Sequence, residues 1–519
     1  MKIYRSGRAA RRIALAAPTI AAVVTLAACA GSSQSSNNGT GDNAGTMKLG
    51  TMFPPGTLDP TIGTQGSDLA YLDYVFDSLI KLNPQTGALE PMLATSWKFV
   101  GADKLELDVQ LRHGVKFQDG TPFNAAAVVK YSTDFIKAGD IANLLQYVTK
   151  VTAAGDYEVV YHLSQQNAQL PNGLVGRAGM IPSPAAVAKE GKSFGTHPVG
   201  TGPYKFVSQV QGARYNFTRY DGYWNNANLK RVKNVEFDIF QSDTALVTAI
   251  RTGDVNVAFH LASQDVKTLK PMSNLDVSVG PGTEYSLAYF NASRKPLTDA
   301  RIRLAFNLAL DRKALAEAVT DGLGQASTEA RPAGTLGYVK SLDPIWTQDT
   351  AKAKQLVQQA GYPNGVNMTC YEYPGLGFEL AGPIIIAQEK AVGIKLKIIP
   401  GTAAQVAPFF TNKADPVCYL ANYGNGDPVG AYQLLWSKSY YNAGKTDFGV
   451  DKYYDQLYKT YTTSGEAQIF QKINDLQKTN PGYSIMFTAP LVNVYQKNIG
   501  GWVTSNLGID NARGLYFKS

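Results

Sequence analysis

A strand–helix–strand order in the last third of the chain constrains the fold more than any other feature. Residues 366–370 and 394–399 are strand-like, and a helical segment that ends near Val392 lies between them. Two strands joined through a helix pair in parallel with a right-handed crossover, and such units build sheets that are covered by helices. The order therefore predicts an α/β fold.

The first 28 residues have the features of a signal peptide and are excluded from the fold. Basic residues within positions 2–12 precede an apolar run over residues 13–28. The run is too short for a permanent membrane span, which needs about 20 apolar residues. It ends in Leu26-Ala27-Ala28-Cys29, which is similar to the lipobox of bacterial lipoproteins and predicts a lipid anchor on Cys29. An ordinary cleavage site with a chance cysteine is the alternative.

A polar tract follows the predicted anchor. Residues 29–46 are rich in serine, glycine and asparagine, and such a composition cannot bury enough apolar area to order itself. The tract is therefore predicted to be a flexible tether. Anchor and tether together predict a domain held at the extracytoplasmic face of a cell membrane, in the periplasm or at the cell surface.

The net charge does not support nucleic-acid binding. The formal net charge is +8, but residues 1–28 carry five of the basic residues and no acidic residue, which leaves about +3 for the mature chain. No long basic run with interleaved aromatic residues remains. We therefore expect no nucleic-acid partner.

Two cysteines remain in the mature chain besides Cys29. Cys370 and Cys418 are far apart in sequence and have no histidine near them, which gives little support to a zinc site. An exported chain meets an oxidising environment, so a disulfide between them and two isolated thiols are both compatible with the sequence. We expect no cofactor and no metal.

Residues 110–125 carry the most specific motif of the chain. The alternation in residues 110–117 predicts a half-buried strand, and Asp119-Gly120 predicts a turn. Asn124 is placed to cap a helix over residues 125–137 by accepting from the free N–H groups of its first turn. Arg112 and Asp119 are interpreted as scaffold residues rather than ligand contacts.

Two further patterns predict helices and their ends. Apolar residues recur at helical spacing between Ile302 and Ala309, which indicates a helix that buries one face. Arg303 and Asp311-Arg312 are predicted to form ion pairs or caps near the helix ends. Gly253 is predicted to end the helix before it, because glycine readily adopts positive φ.

Taken in order, these segments resemble the oligopeptide- and dipeptide-binding family of bacterial solute-binding proteins, family 5 or cluster C. Residues 111–125 (LRHGVKFQDGTPFNA) are similar to the "LR.GVkFhDGtPfnA" signature of that family. Further matching segments are residues 58–60 (LDP), 74–80 (YVFDSLI), 89–97 (LEPMLATSW), 198–204 (PVGTGPY), 220–224 (YDGYW), 245–255 (ALVTAIRTGDV), 290–291 (FN) and 297–312 (LTDARIRLAFNLALDR). The matches span nearly the whole mature chain, and only the tail after about Tyr440 matches loosely.

The resemblance implies a type II periplasmic-binding-protein fold with two lobes, an additional domain, mixed sheets flanked by helices and a hinge between the lobes. The implied boundaries are residues 1–28 for the signal peptide, 29–46 for the tether, 47–88, 199–290 and 489–519 for lobe 1, 89–198 for the additional domain and 291–488 for lobe 2. The implied role is the solute-binding subunit of an ABC import system, a monomer that serves a permease and ATPase complex.

The resemblance also implies a di- or oligopeptide ligand between the lobes. Asp427 is the expected partner of the ligand ammonium, because residues 423–428 are similar to an Asp-Pro loop that follows a strand in peptide-binding members; a plain turn is the alternative. Tyr285 and Tyr289 precede the expected hinge, and an aromatic group lies near the loop. The candidate ligand-binding residues are Asp427, Tyr423, Asn425, Trp436, Tyr285 and Tyr289.

Other ligands and an enzyme are weaker alternatives. Gly424 and Val429 stand where some dipeptide-binding members have further acids, so the same fold binding an oligosaccharide or a metal chelate stays open. Residues 191–195 (GKSFG) satisfy G-x-S-x-G, but a nucleophile elbow needs a strand before the serine and a helix after it. A predicted helix over residues 184–190 precedes Ser193, and His197-Pro198 follows it. We therefore expect no enzyme.

Overall fold

The predicted parallel strand pair lies at one edge of a large mixed sheet. The computed structural model describes residues 45–63, 66–138, 141–228, 230–329, 343–372, 378–401, 403–413, 415–423, 434–504 and 512–518. The strands Val366–Glu372 and Ile394–Pro400 pair in parallel, with Val366 opposite Ile394. The predicted α/β fold is confirmed. The predicted signal peptide, Cys29 and most of the tether lie outside the described residues.

The described elements are numbered here in chain order. The strands are β1 (Thr46–Thr51), β2 (Ile80–Leu82), β3 (Leu89–Pro91), β4 (Ala94–Val100), β5 (Glu106–Leu111), β6 (Val148–Gly155), β7 (Glu158–Leu163), β8 (Tyr204–Val210), β9 (Arg214–Arg219), β10 (Asn234–Ile239), β11 (Val257–Ala258), β12 (Leu275–Phe290), β13 (Gln325–Ala326), β14 (Val366–Glu372), β15 (Ile394–Pro400), β16 (Cys418–Tyr423), β17 (Tyr483–Gln496), β18 (Ile499–Gly500) and β19 (Tyr516–Phe517). The helices are α1 (Leu69–Val75), α2 (Ala125–Ala138), α3 (Leu170–Gly173), α4 (Pro184–Glu190), α5 (Asp243–Thr252), α6 (Val266–Leu269), α7 (Ala300–Ala309), α8 (Arg312–Thr320), α9 (Thr350–Gln359), α10 (Phe378–Ala391), α11 (Ala403–Phe410), α12 (Asp451–Leu457) and α13 (Thr463–Gln477). Short 3-10 helices lie at Gly66–Asp68, Ala142–Leu145, Arg177–Gly179, Gly191–Thr196, Asn226–Asn228 and Ser263–Asp265.

The large sheet divides into two parts around two long strands. Its order is β15-β14-β16-β12-β17-β11-β1-β10-β9-β8, with β13 beside β17. We call β1 and β8–β11 with their helices the first lobe, and β14–β16 with theirs the second lobe. Separate apolar clusters fill them, one around Tyr71 and Phe237 and another around Phe306 and Ile385. The predicted two-lobe arrangement with mixed sheets is confirmed.

A separate antiparallel sheet forms the additional domain. Its order is β4-β5-β7-β6, and its own apolar cluster includes Phe117, Phe135 and Tyr161. The Ala127 N–H donates to the Asn124 side-chain oxygen at 3.1 Å, which confirms the predicted cap of α2. A capping oxygen of this kind satisfies an N–H group that the first helical turn leaves free.

The strand predicted over residues 110–117 is wrong in extent. β5 ends at Leu111, and Gly114 follows with a φ of +74°, a backbone conformation that turns the chain and suits glycine. The turn at Asp119-Gly120 is confirmed, because the Gly120 N–H donates to the Phe117 carbonyl at 2.9 Å. An alternating pattern does not reveal where a glycine interrupts a strand.

The two charged residues of this motif hold the scaffold, as predicted. The Arg112 Nε donates to the Met92 carbonyl at 2.8 Å, and its guanidinium lies 4.5 Å from the centre of the Trp224 ring. Asp119 accepts from the Thr121 N–H at 2.9 Å. Both side chains therefore make structural contacts within the additional domain or with the residues that adjoin it.

The arginines near α7 and α8 bind backbone carbonyls instead of acidic partners. Arg303 donates to the Pro481 carbonyl at 2.7 Å, and Arg312 donates to the Ile485 carbonyl at 2.7 Å. Burial lowers the pKa of both guanidinium groups to about 10. The prediction of ion pairs was wrong for these two, because residues 481–485 pass beside the helices and supply acceptors. Asp311 does cap α8, accepting from the Ala314 N–H at 3.0 Å.

The sequence is compatible with a disulfide between Cys370 and Cys418 and with two isolated thiols, and strand register brings the two cysteines together. Cys370 of β14 lies opposite Cys418 of β16, and their Cα atoms are 4.5 Å apart with the sulfur atoms joined. This separation lies within the range of disulfide geometry. Sequence spacing does not reveal it, because the pairing of β14 with β16 brings the two residues together.

A carboxyl group is buried behind the second-lobe sheet. Glu389 of α10 is fully buried, and neither of its oxygens has a hydrogen-bond partner among the described residues. Burial raises the pKa of Glu389 well above its usual value, and the opposing effect of Arg312 is smaller. The folded chain therefore keeps a proton that the unfolded chain releases.

We expect Glu389→Gln to remove part of the pH dependence of stability. Below the pKa of Glu389 in the unfolded chain the carboxyl is protonated in both states and has no effect on stability. As the pH rises above that value, only the unfolded chain releases the proton, so the free energy of unfolding falls by at most about 1.4 kcal/mol per pH unit until the raised pKa of the folded state is passed. The glutamine variant should match the wild type at pH 4 and exceed it at pH 7 in urea unfolding. The exposed Glu317→Gln is the control, and an equal difference at both pH values would contradict the assignment.

Candidate functional site

The carboxyl ends of the parallel strands of both lobes point toward one junction. In the first lobe β11 and β10 run parallel to β1, and in the second lobe β15 and β16 run parallel to β14. Because β11 and β16 also pair with β17 and β12, their registers place both sets of ends beside the middle of these long strands. Ligands of open α/β sheets bind outside the carboxyl ends of strands, where the strand order changes.

The long strands change register at this junction. β12 pairs with β17 over Leu275–Gly280 and again over Glu284–Tyr289, and the register shifts between Gly280 and Glu284. Three residues of β12 there lie opposite the single Pro490 of β17, and proline cannot donate to a strand ladder. The first half of β12 pairs with the part of β17 that also pairs with β11 of the first lobe, and the second half of β12 pairs with β16 of the second lobe. The shift therefore lies between the parts of the sheet that belong to the two lobes.

Aromatic residues line the first-lobe side of the junction. Phe53 follows β1 and His260 follows β11, and their ring centres are 5.6 Å apart. Phe259 lies 5.9 Å from Trp502, which stacks on Tyr495 at 5.0 Å. Phe53 and His260 are half-buried and offer flat apolar surface at the strand ends, whereas Phe259 is buried behind them. None of these residues was predicted as a site residue. Phe53 and His260 could have been proposed, because they follow strands closely and ligands bind outside the carboxyl ends of strands.

The backbone of His260 is held in an uncommon conformation. Its φ is +56°, in the left-handed region that non-glycine residues rarely occupy. Its N–H donates to the Asn493 side-chain oxygen at 3.1 Å, which ties the end of β11 to β17. Such strain of about 1–3 kcal/mol persists only where the surroundings fix it and clusters at functional sites.

An acidic pair follows the strand ends of the first lobe. Asp243 begins α5 after β10, and Asp265 precedes α6 after β11. Burial raises the pKa of Asp265 to about 7, and its contact with Asp243 adds to the shift. Asp265 therefore keeps its proton to a higher pH than a solvent-exposed aspartate does.

The predicted loop begins at the second-lobe side of the junction. β16 ends at Tyr423, which lies opposite Tyr285 in the ladder with β12. Asn425 and Asp427 follow at once, and both lie outside the described residues. The strand that precedes the loop therefore runs toward the register shift, and Tyr285 and Tyr289 follow that shift in the chain.

The remaining aromatic candidates are buried in the second lobe. Tyr285, Tyr289 and Trp436 are 1%, 5% and 2% exposed and belong to one apolar cluster. Tyr289 stacks on Tyr419 with ring centres 5.9 Å apart, and burial raises its pKa well above the usual value. In this structure the three side chains support the wall of the junction and do not present their rings to solvent.

The G-x-S-x-G segment does not have the geometry of a nucleophile elbow. α4 precedes it, and residues Gly191–Thr196 form a 3-10 helix with Ser193 exposed. A nucleophile elbow requires a strand before the serine. Among the described residues no cluster of three or more histidine, cysteine, aspartate or glutamate side chains has metal-binding geometry.

Comparison with known proteins identifies the family. The model of bacterial extracellular solute-binding proteins, family 5 Middle, matches residues 88–445. The glutathione-binding protein GsiB of Shigella boydii is 28% identical over 473 residues, covering 87% of this chain and 91% of that protein. Two solved structures cover 92% of this chain. The periplasmic binding protein DppA of Helicobacter pylori in complex with the peptide STSA has a TM-score of 0.81, 20% identity and 98% of its own chain covered. The oligopeptide-binding protein AppA of Bacillus subtilis in complex with a nonapeptide has a TM-score of 0.80 and 19% identity, and 100% of its own chain is covered.

These likenesses confirm the resemblance that the motifs carry. The matched family model covers more than half of the chain, and the solved structures share its two-lobed fold over nearly their full length. The family consists of binding proteins of transporters. This chain belongs to family 5 of the bacterial extracellular solute-binding proteins.

Proposed function

We propose that this protein captures peptides between its two lobes and delivers them unchanged to an ABC permease. The observation that carries the proposal is the convergence of strand ends from both lobes on the register shift between Gly280 and Glu284. A ligand at that place touches both lobes and favours their closure. The relatives support a peptide as the ligand, since their names and complexes include glutathione, a peptide STSA and a nonapeptide.

Peptide capture fits the chemistry of strand ends and loops. An extended peptide pairs its backbone with exposed strand edges, and pockets then accept alternate side chains. Closure removes water from the contacts and strengthens each polar interaction. The rings of Phe53 and His260 offer apolar surface for such side chains. The peptide leaves as it arrived, so no catalytic group is assigned.

The proposed partner of the peptide ammonium is Asp427. Its loop follows β16, whose end at Tyr423 lies opposite Tyr285 near the register shift. A carboxylate that pairs with a buried ammonium forms a charge-assisted hydrogen bond, which is stronger than a neutral one. Tyr423 and Asn425 are proposed to line the same part of the cleft.

We expect Asp427→Asn to weaken binding of an amino-terminal peptide by about tenfold or more, the loss of one charge-assisted contact. Calorimetry with unmodified tripeptides and the same peptides acetylated at the amino terminus measures the effect. Acetylation should weaken wild-type binding and change binding by the variant much less. Asp447→Asn, in a described turn of the same lobe where Asp447 accepts from backbone N–H groups, is the control. Equal affinities of wild type and Asp427→Asn would remove Asp427 from the site.

The amino-terminal sequence supports a proposal for how the protein is attached to the membrane. We propose that Cys29 carries the lipid anchor, that residues 29–46 form the tether, and that a monomer serves the permease and ATPase. The domain boundaries proposed are those implied by the motifs. No helix among the described residues is long and apolar enough to cross a membrane.

A further inference from the structure

The additional domain touches the second lobe through residues that lie outside the long strands joining the lobes. The contacting residues are Phe99, Lys104, Tyr147, Ala168 and Gln169 on the additional domain, Tyr458 and Tyr461 between α12 and α13, and Glu466 in α13. We call this set the bridging contact. It joins parts of the chain about 300 residues apart, as in the pair Gln169 and Glu466, separated by 297 positions.

Two hydrogen bonds form one half of the bridging contact. The Gln169 Nε2 donates to Glu466 Oε1 at 2.7 Å, and the Ala168 N–H donates to the Tyr458 carbonyl at 2.7 Å. Gln169 is 6% exposed and Tyr458 is 5% exposed. The bonds are therefore sheltered from water, and breaking them requires both donors to find new partners.

Aromatic rings form the other half. The Lys104 Nζ lies 3.8 Å from the centre of the Tyr461 ring, and Phe99 meets the same ring edge-on at 5.1 Å. Tyr147 meets Tyr458 edge-on at 5.3 Å and packs against the apolar cluster of the second lobe. A cation over an aromatic face and edge-to-face rings are both attractive arrangements.

Two residues of the bridging contact are held in strained backbone conformations. Lys104 has a φ of +53° and Tyr147 a φ of +67°, which is uncommon outside glycine and marked for a bulky residue. The Tyr147 carbonyl accepts from the Ser164 N–H at 2.9 Å, and Gln166 donates to the Asp103 carbonyl at 2.9 Å. Local hydrogen bonds thus hold both residues where they reach the second lobe.

We propose that the bridging contact is a latch that stabilises the closed form of the protein. The additional domain is inserted in the first lobe, between β2 and β8, whereas α12 and α13 belong to the second lobe. A rotation at the register shift that opens the lobes separates the two sides of the contact. The latch sets the closed fraction before any solute is bound, and apparent affinity scales with that fraction. This inference rests on the proposed closure of the lobes around a solute.

The direct test measures the latch without any ligand. Single-residue hydrogen–deuterium exchange at the Ala168 amide reports how often its bond to the Tyr458 carbonyl opens. We expect the double variant Gln169→Leu/Tyr461→Leu to speed this exchange by about tenfold, the loss of two favourable contacts, and to increase the radius of gyration measured by X-ray scattering. Tyr453→Leu is the matched control, because Tyr453 also lies near two lysines but within the second lobe. Glu466→Gln keeps an acceptor for Gln169 and should show wild-type exchange.

The possible outcomes distinguish failure of the latch from failure of the proposed function. If the double variant and the wild type show equal exchange at Ala168 and equal radii of gyration, the latch is refuted. If exchange rises equally in Tyr453→Leu, the effect is general loosening of α12 and α13 and the latch is also refuted. Where a peptide binds, the double variant should weaken every peptide by the same factor. Failure to bind any peptide would refute the proposed function and leave the exchange result standing.

Discussion

Replacing Arg177 by methionine is expected to lower the free energy of unfolding by about 3–5 kcal/mol, because it leaves a buried carboxylate without its cation. Arg177 and Asp68 form an ion pair whose side chains are 4% and 0% exposed. Arg177 also donates to the Ile62 carbonyl at 3.3 Å, and Asp68 accepts from the Gly56 N–H at 2.6 Å. The pair therefore fixes the additional domain to the loop that follows β1.

Urea unfolding of single and double variants tests this expectation. The double variant Asp68→Leu/Arg177→Met should recover much of the loss, because an apolar pair often replaces a buried ion pair at little cost. Arg214→Met is the control, since Arg214 pairs with Asp238 at 2.7 Å but is 46% exposed, and exposed pairs contribute about 0–1 kcal/mol. A single variant as stable as the wild type would show that Asp68 does not depend on Arg177.

Breaking the proposed bond between Cys370 and Cys418 is expected to cost about 3–4 kcal/mol, the entropy that the unfolded chain regains when a loop of this size opens. The two residues are 48 positions apart and link β14 to β16. That link lies at the base of the strand that leads to Asp427. We therefore also expect weaker peptide binding in the reduced protein.

Comparison of oxidised protein, reduced protein and the Cys370→Ala/Cys418→Ala variant measures this effect. Reduction should lower the urea midpoint of the wild type and leave that of the variant unchanged. Intact mass after thiol alkylation counts the free cysteines. Two alkylated thiols at positions 370 and 418 in unreduced protein, or a midpoint that reduction does not move, would contradict the bond.

Local features of the fold could be predicted from the sequence because they depend on neighbouring residues. Asn124 caps α2 through a bond to Ala127, and Gly253 ends α5 with a φ of +85°. The parallel pairing of β14 and β15 followed from the helix between them. In each case the interacting groups are close in sequence or are joined by one element whose handedness is fixed.

Features that depend on register or on distant contacts could not be predicted. Phe53 meets His260 only because β1 and β11 pair in one register. The burial of Tyr289 and Trp436 depends on packing within the second lobe. The sequence does not show whether a given tyrosine or tryptophan side chain is buried or exposed. The bridging contact joins residues on opposite sides of the lobe junction, and no spacing in the sequence indicates it.

The central claim is that two lobes close over a peptide and release it unaltered. Solution X-ray scattering of the full protein, with and without a defined mixture of tri- to nonapeptides, tests it most directly when the bound peptides are then weighed by mass spectrometry. The account predicts a smaller radius of gyration with peptide and recovery of peptides of unchanged mass. An unchanged radius with every peptide tested, or peptides recovered as fragments, would contradict it.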